Sequence, residues 1–219
     1  MMPLAIFDLD NTLIAGDSDY SWGAFLVAQN RVDQVVYKTM NEKFLADYEA
    51  ENLDILAYLA FSLSPLIDMP PSDLEQLHSK FMDQVIRPMM LPKALALIEK
   101  HREAGDRLLI ITATNRFIIE PIVHSLGIDE FLATEPETIN GRITGKIVGT
   151  PTFREGKVQR LNTWLDDNNE TLSGSYFYSD SINDLPLLQK VANPVAVDPD
   201  ENLRQVAEDK GWDTISLRD

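Results

Sequence analysis

The chain has no cysteine among its 219 residues. Disulfides, thiolate metal sites and cysteine nucleophiles are therefore excluded, and the absence suits a reducing compartment. Positive charge is scarce: 19 Lys and Arg stand against 35 Asp and Glu, a formal net charge of −16. Such a surface repels phosphate backbones, so no nucleic-acid partner is expected, and anionic membranes are avoided as well. Long hydrophobic runs are missing too. The longest charge-free apolar stretch, residues 55–67, falls short of the roughly 20 residues that a membrane span needs. The opening MMPLAIFDLD carries no basic stretch, and Asp8 interrupts its apolar run, so a secretory signal is not expected. These absences point to a cytoplasmic protein.

What is present is ordinary globular material, 44% hydrophobic and 25% charged, which excludes disorder for the bulk of the chain. The length exceeds a domain of roughly 150 residues and allows one large domain, or a core with a smaller companion. Apolar runs at residues 3–7 (PLAIF), 107–112 (RLLIIT), 175–179 (SYFYS) and 194–197 (PVAV) read as strands, with residues 213–217 as a last edge strand. Near-continuous apolarity, rather than alternation, fits strands covered on both faces. Helical periodicity runs through residues 94–104, 117–126, 157–166 and 185–191, with Gly105 and Gly127 as stops for the first two. The expected fold is α/β, a doubly wound, Rossmann-like parallel-sheet core.

One interval breaks that rhythm. Between a first strand ending near Leu13 and a second starting near Arg107 lie about 90 residues, where a crossover needs roughly a dozen. The interval has its own helical patterns at residues 20–28, 34–50, 54–66 and 71–86. We expect a small inserted helical cap at residues 16–89, with the core formed by residues 1–15 and 90–219. Residues 132–150, containing INGRITGKIVG, read as a short hairpin.

Four short segments carry chemistry. Asp8 and Asp10, in DLDNT, follow the first strand. Residues i and i+2 share a side of an extended chain, so two carboxylates are presented at the carboxyl edge of a parallel sheet, where such folds bind ligands. Thr112, in TAT, ends the second strand. Lys157 sits at a helix start, where the helix dipole disfavours a cation unless an anion compensates it. Asp180 and Asp184, in SDSIND, follow the strand SYFY. Each segment alone has a plain structural reading, as a turn, a cap or a first-turn acid.

In this order, DxDxT, strand-Thr, Lys and DxxxD, the chain resembles the haloacid dehalogenase superfamily over essentially its whole length. It looks like the phosphoserine-phosphatase-like subclass, which has a helical cap after the first motif. The resemblance implies an Mg²⁺-dependent phosphomonoester hydrolase acting on a small phosphorylated metabolite, as a monomer or homodimer. It implies Asp8 as nucleophile, Asp10 as general acid and base, and Thr112 and Lys157 as phosphoryl-binding groups. The Mg²⁺ ligands would be Asp8, the Asp10 main-chain carbonyl and Asp180, with Asp184 orienting Lys157 or a metal-bound water and Asn183 contacting the phosphoryl group. Thr12 would stabilise the loop.

Two departures bear on the substrate. The second motif reads TAT where phosphoserine phosphatases typically have Ser and two glycines, and the last reads SDS where many relatives have GDG. Further, no Arg lies between Arg31 and Arg87, so the Arg with which phosphoserine phosphatases clamp a substrate carboxylate is missing from nearly the whole cap. Residues 16–88 carry 12 acids (Asp17, Asp19, Asp33, Glu42, Asp47, Glu49, Glu51, Asp54, Asp68, Asp73, Glu75 and Asp83) against five bases (Arg31, Lys38, Lys43, Lys80 and Arg87). A substrate with an amine or imidazole and no carboxylate, such as histidinol phosphate, fits that charge, with Asp17 and Asp19 placed to meet the cation, and phosphoserine is the other candidate substrate. The competing reading of that pair is two solvated helix-start acids. His78, His101 and His124 read as surface or partly buried residues. Trp22, Phe25 and Tyr20 read as core packing and Arg116 as a helix-surface residue. The alternatives are a phosphotransferase or mutase of the same family, a phosphoryl-accepting receiver domain, and a regulatory module without activity.

Overall fold

The apolar runs become the strands of one sheet in the computed structural model, which describes residues 2–67 and 69–218. Asp68, one of the acids counted in the insert, lies outside these residues, as do Met1 and Asp219. The strands are β1 (Leu4–Phe7), β2 (Arg107–Asn115), β3 (Phe131–Ile139), β4 (Arg142–Val148), β5 (Tyr176–Ser179), β6 (Asn193–Val197) and β7 (Asp213–Ile215). They lie in the order β4-β3-β2-β1-β5-β6-β7. Every neighbouring pair is parallel except β3 and β4. Those two form the expected hairpin, turned at Asn140 (φ 52°) and Gly141 (φ 76°), the pair of positive φ angles that a tight hairpin turn needs.

Alternation across β1 divides the interior in two. Leu4 and Ile6 pack with α8 (Glu155–Asn168), α9 (Leu185–Leu188) and α10 (Glu201–Lys210) through Leu161, Leu165, Leu187, Leu188 and Leu203. Ala5 and Phe7 face the other way, toward Ala94 and Ile98 of α6 (Pro92–Ala104) and Ile118, Ile119 and Ile122 of α7 (Arg116–Ser125). All four β1 side chains are fully buried, and a large apolar side chain buried in this way contributes roughly 1.5–3 kcal/mol. The strand that leads into Asp8 is thus fixed between two packed layers.

The long interval holds α1 (Ser18–Ala28), α2 (Gln34–Glu49), α3 (Ile55–Leu63), α4 (Pro71–Phe81) and a short α5 (Arg87–Met89). Its two ends run side by side: Ile14 bridges Met90 and the Ala15 N–H donates to the Met89 carbonyl at 2.8 Å. The helix read over residues 54–66 stops at Leu63, and residues 64–66 form a 3₁₀ turn around Pro65. The pattern over residues 71–86 is α-helical only to Phe81, and residues 82–86 widen to a π turn. Pro88 accounts for the widening, because its ring collides with the carbonyl four residues back and it has no N–H to donate.

Two histidines depart from the sequence reading. His78 is 6% and His101 4% exposed, whereas His124 is exposed. Burial is made tolerable by partners that a linear pattern does not reveal: His78 Nε2 meets the Ile118 carbonyl at 2.9 Å, and His101 lies 2.6 Å from Asp106 and 2.7 Å from the Tyr178 hydroxyl. Trp22 and Phe25 are core residues as expected; Trp22 packs on Phe117 of α7, with ring centres 5.5 Å apart.

Candidate active site

The carboxyl ends of β1, β2 and β5 converge on one cavity. Asp8 is the first residue beyond β1, and its N–H still donates to the Tyr178 carbonyl at 2.9 Å, so the sheet's hydrogen bonding holds its main chain. Asp10 is gripped from two sides. Its Oδ1 accepts the Ser18 N–H at the start of α1 at 2.6 Å, and its Oδ2 accepts the Thr114 hydroxyl at the end of β2 at 2.8 Å. The Thr112 hydroxyl accepts the Thr114 N–H at 3.2 Å and stands 3.5 Å from the same Asp10 oxygen.

Lys157 lies in the first turn of α8 and is 3% exposed. The anions that its position requires are present: Nζ donates to Asp8 Oδ1 and to Asp184 Oδ2, each at 2.7 Å. The Ser179 hydroxyl adds a third contact, donating to Asp184 Oδ2 at 2.7 Å. Burial works against the ammonium, but Asp184 and Asp8 hold it above the ordinary lysine range. Gly156 lets α8 start where it does, since a Cβ there would sit 2.0 Å from the Pro151 carbonyl oxygen. Thr12 stabilises the loop as read from sequence: its hydroxyl donates to Asp180 Oδ1 and accepts the Asp180 N–H, both at 3.1 Å.

The carboxylates strain one another electrostatically. Asp8 is pushed up to about 7, chiefly by burial, against the pull of Lys157 and with the charges of Asp184 and Asp10 adding to the rise. Asp10 is pushed to about 6 by burial and by Asp17. Burial, then Asp8 and Asp184, carry Asp180 well above the carboxylate range. Close acids around one lysine are what a hard cation would relieve. Among the described residues no group of three or more His, Asp and Glu side chains stands in a metal-ligating array. A cation here would rest on two carboxylates, a main-chain carbonyl and water, the sparse oxygen set that suits Mg²⁺. The donors fit that ion.

Residues of α1, α2 and α3 line the rest of the cavity. Asp17 is the N-cap of α1, accepting the Tyr20 N–H at 2.8 Å, and Asp19 accepts the Ser62 hydroxyl of α3 at 2.9 Å. Asp19 is buried and Asp17 half-buried, and desolvation raises both to about 6, so neither is a fully solvated acid, although Asp17 does cap its helix. Phe44, Tyr48, Tyr58 and Phe153 form apolar walls. Five carboxylates line the cavity (Asp8, Asp10, Asp17, Asp19 and Asp184), and among the described residues Lys157 is the one cation lining it.

Asp8, Asp10, Asp17, Asp19, Thr112, Lys157, Asn183 and Asp184 therefore meet in a single cavity. Asp180 stands beside it, near enough to Asp8 and Asp184 to feel both charges. Tyr20 also lines the cavity, which corrects its reading as core: α1 is apolar on more than one face, so spacing alone does not orient it. Arg116 turns away to Glu135 at 2.7 Å and Glu120 at 3.1 Å. Sequence reasoning missed Thr114, Ser18, Ser179 and Tyr48. Thr114 carried a signal, lying two residues from Thr112 on the same strand; Tyr48 carried none, because its place depends on how the insert folds over.

The family profile of haloacid dehalogenase-like hydrolases matches residues 5–189. A histidinol-phosphatase of Neisseria meningitidis serogroup C is 46% identical over all of both chains. A phosphoserine phosphatase of Mycobacterium tuberculosis is 29% identical over 98% of this chain and 70% of its own length. Among solved structures, a protein of unknown function from Bordetella pertussis Tohama I superposes with a TM-score of 0.94 at 41% identity over all of both chains. A substrate-bound phosphoserine phosphatase superposes with a TM-score of 0.73 at 18% identity, covering 98% of this chain and 93% of its own, a likeness of fold. No helix among the described residues is long and apolar enough to cross a membrane. The chain is a phosphatase that belongs to the haloacid dehalogenase-like hydrolase family.

Proposed function

We propose that the chain is an Mg²⁺-dependent phosphomonoester hydrolase for a small alcohol phosphate bearing an amine or imidazole and no carboxylate, and that histidinol phosphate is that substrate. The observation that carries this reading is the cavity's charge: five carboxylates against the Lys157 ammonium, with Asp17 and Asp19 on the insert side. Phosphoserine would bring its own carboxylate against those acids, with no guanidinium among the described residues that line the cavity to receive it. A cationic leaving group relieves them instead.

In this reading residues 16–89 act as a cap that excludes water from residues 1–15 and 90–219. An Asp8 carboxylate oxygen attacks phosphorus, the bond from phosphorus to the ester oxygen breaks, and an aspartyl-phosphate forms. Asp10, aimed by the Ser18 N–H and the Thr114 hydroxyl, gives its proton to the departing alkoxide. It then takes a proton from the water that attacks the same phosphorus, releasing phosphate and restoring Asp8. Lys157 and Thr112 receive phosphoryl oxygens, Asn183 adds a polar contact, and Asp184 holds Lys157 in place. Asp8, Asp180 and the Asp10 carbonyl would hold Mg²⁺. When bound, the ion supplies positive charge that lets an anionic phosphate approach a carboxylate.

Phosphate release from histidinol phosphate and phosphoserine, with Mg²⁺ and in the Asp8→Asn variant, tests this. The expected result is a higher kcat/KM for histidinol phosphate and a loss of roughly three or more orders of magnitude in the variant. A preference for phosphoserine would overturn the substrate assignment, and an active Asp8→Asn would overturn the mechanism.

A further inference from the structure

The tip of the insert touches the core through a polar cluster of which the chemistry above uses only Asn183. Arg154 stands three residues before Lys157 and forks between the two parts of the molecule. Its Nε donates to Asn183 Oδ1 at 2.8 Å, and its Nη2 donates to the Glu51 carbonyl, just past the end of α2, also at 2.8 Å. Three further bonds cross the same seam, and in one of them Asn183 Nδ2 itself donates to the Tyr48 carbonyl at 3.4 Å. The Tyr48 hydroxyl donates to Ser181 Oγ at 3.1 Å, and Asn202 Nδ2 donates to Glu51 Oε1 at 3.0 Å. Asn183 is itself 4% exposed and lines the catalytic cavity.

The Arg154 main chain argues that the side chain is kept for a purpose. Its φ of 49° and ψ of −120° belong to a region that glycine occupies readily and other residues occupy only under strain. A glycine would hold this turn more comfortably, yet a long charged residue stands there. Backbone strain of this kind collects where a side chain must be aimed.

We propose that Arg154 is a positioning residue that couples closure of the insert to the phosphoryl pocket: it orients Asn183 only when the Glu51 carbonyl is docked. With the insert lifted, Arg154 loses one of two fixed acceptors, and the Asn183 amide, held by Arg154, the Tyr48 carbonyl at 3.4 Å and Ser181 Oγ at 3.3 Å, loses the Tyr48 contact and a fixed Arg154 together. With the insert down, the planar guanidinium locks both at once, a geometry that a single ammonium does not reproduce. The coupling to turnover rests on the phosphatase reading; the latch itself does not.

The test uses the full chain with Arg154→Gly, Arg154→Gln and Arg154→Lys. Circular dichroism and thermal melting check the fold, and the Gly variant is expected to melt no lower than the Gln variant, because both lose the guanidinium's bonds and only Gly relaxes the turn. Hydrogen–deuterium exchange, run without substrate, reads the amides of residues 48–52. Steady-state kinetics with histidinol phosphate and with p-nitrophenyl phosphate read KM and kcat separately. The expected result is faster exchange at residues 48–52 in all three variants, and a KM raised roughly tenfold, the weight of one hydrogen bond from a charged donor, with a smaller change in kcat. Lys is not expected to restore either. Unchanged exchange in the Gly and Gln variants overturns the latch, and faster exchange with an unchanged KM overturns the coupling. Full rescue by Lys overturns the fork. A wild type that releases no phosphate removes the kinetic arm through failure of the proposed function, while the exchange arm still decides the latch.

Discussion

Replacing Asp19 by Asn should stabilise the protein while harming recognition of its substrate. Asp19 is 6% exposed and burial lifts its carboxyl from 3.8 to about 6. At pH 8 the folded chain holds a carboxylate that would be more comfortable in water, at a cost on the order of 3 kcal/mol. Asn removes the charge at nearly the same volume, but it weakens what the Ser62 and Tyr58 hydroxyls donate to, at roughly 1 kcal/mol. The net gain is about 2 kcal/mol, or roughly 4–8 °C in Tm for a chain of this length. The sign depends on pH in a defined way. A carboxyl raised in the folded state contributes stability that is complete below the unfolded value of 3.8 and is lost as pH rises through about 6. The variant's advantage should therefore be small near pH 5 and complete by pH 8. Calorimetric melting of both proteins at these two pH values, in metal-free buffer, measures it. Kinetics supply the counterpart: KM for histidinol phosphate should rise, while KM for p-nitrophenyl phosphate, which lacks an amine, should hardly move. An Asp19→Asn protein that melts no higher than wild type at pH 8, or whose advantage does not grow with pH, refutes the reasoning.

The remaining predictions concern the opposite wall of the site and the cation. Gly156→Ala would drive a Cβ to 2.0 Å from the Pro151 carbonyl oxygen, so chemical denaturation should show a loss on the order of 3 kcal/mol, together with weakened activity as Lys157 shifts. Added Mg²⁺ should raise the wild-type melting temperature, because it relieves the repulsion among Asp8, Asp180 and Asp184. Asp180→Asn should show little of that rise and should lose Mg²⁺-dependent turnover; an equal rise in the variant would exclude Asp180 as a ligand.

Much of the site was legible in the linear chain because its parts sit at the ends of strands or, like Thr112 in β2, within their last few residues. Asp8, Thr112 and Asp180 each follow an apolar run, and the carboxyl edge of a parallel sheet gathers such residues whatever lies between them. Lys157 was legible by a different route, since a cation at a helix start is unfavourable without anions, and Asp8 and Asp184 supply them. Tyr20, His78 and His101 were not legible in the same way. Periodicity shows that a helix has an apolar stripe, but it does not show which neighbour covers which flank, nor whether a carbonyl such as that of Ile118 waits for a buried imidazole.

The sequence by itself determined the α/β core, the run of helices between the first two strands and the order of the chemical groups, because strand apolarity, helix stops and motif spacing are local properties. Only the tertiary structure decided that Asp17 and Asp19 turn inward, that Thr114 holds Asp10, and that Arg154 joins the insert to Asn183. Those contacts join residues from different elements, and their geometry comes from how the insert packs down on the sheet edge. No spacing along the chain encodes that packing angle.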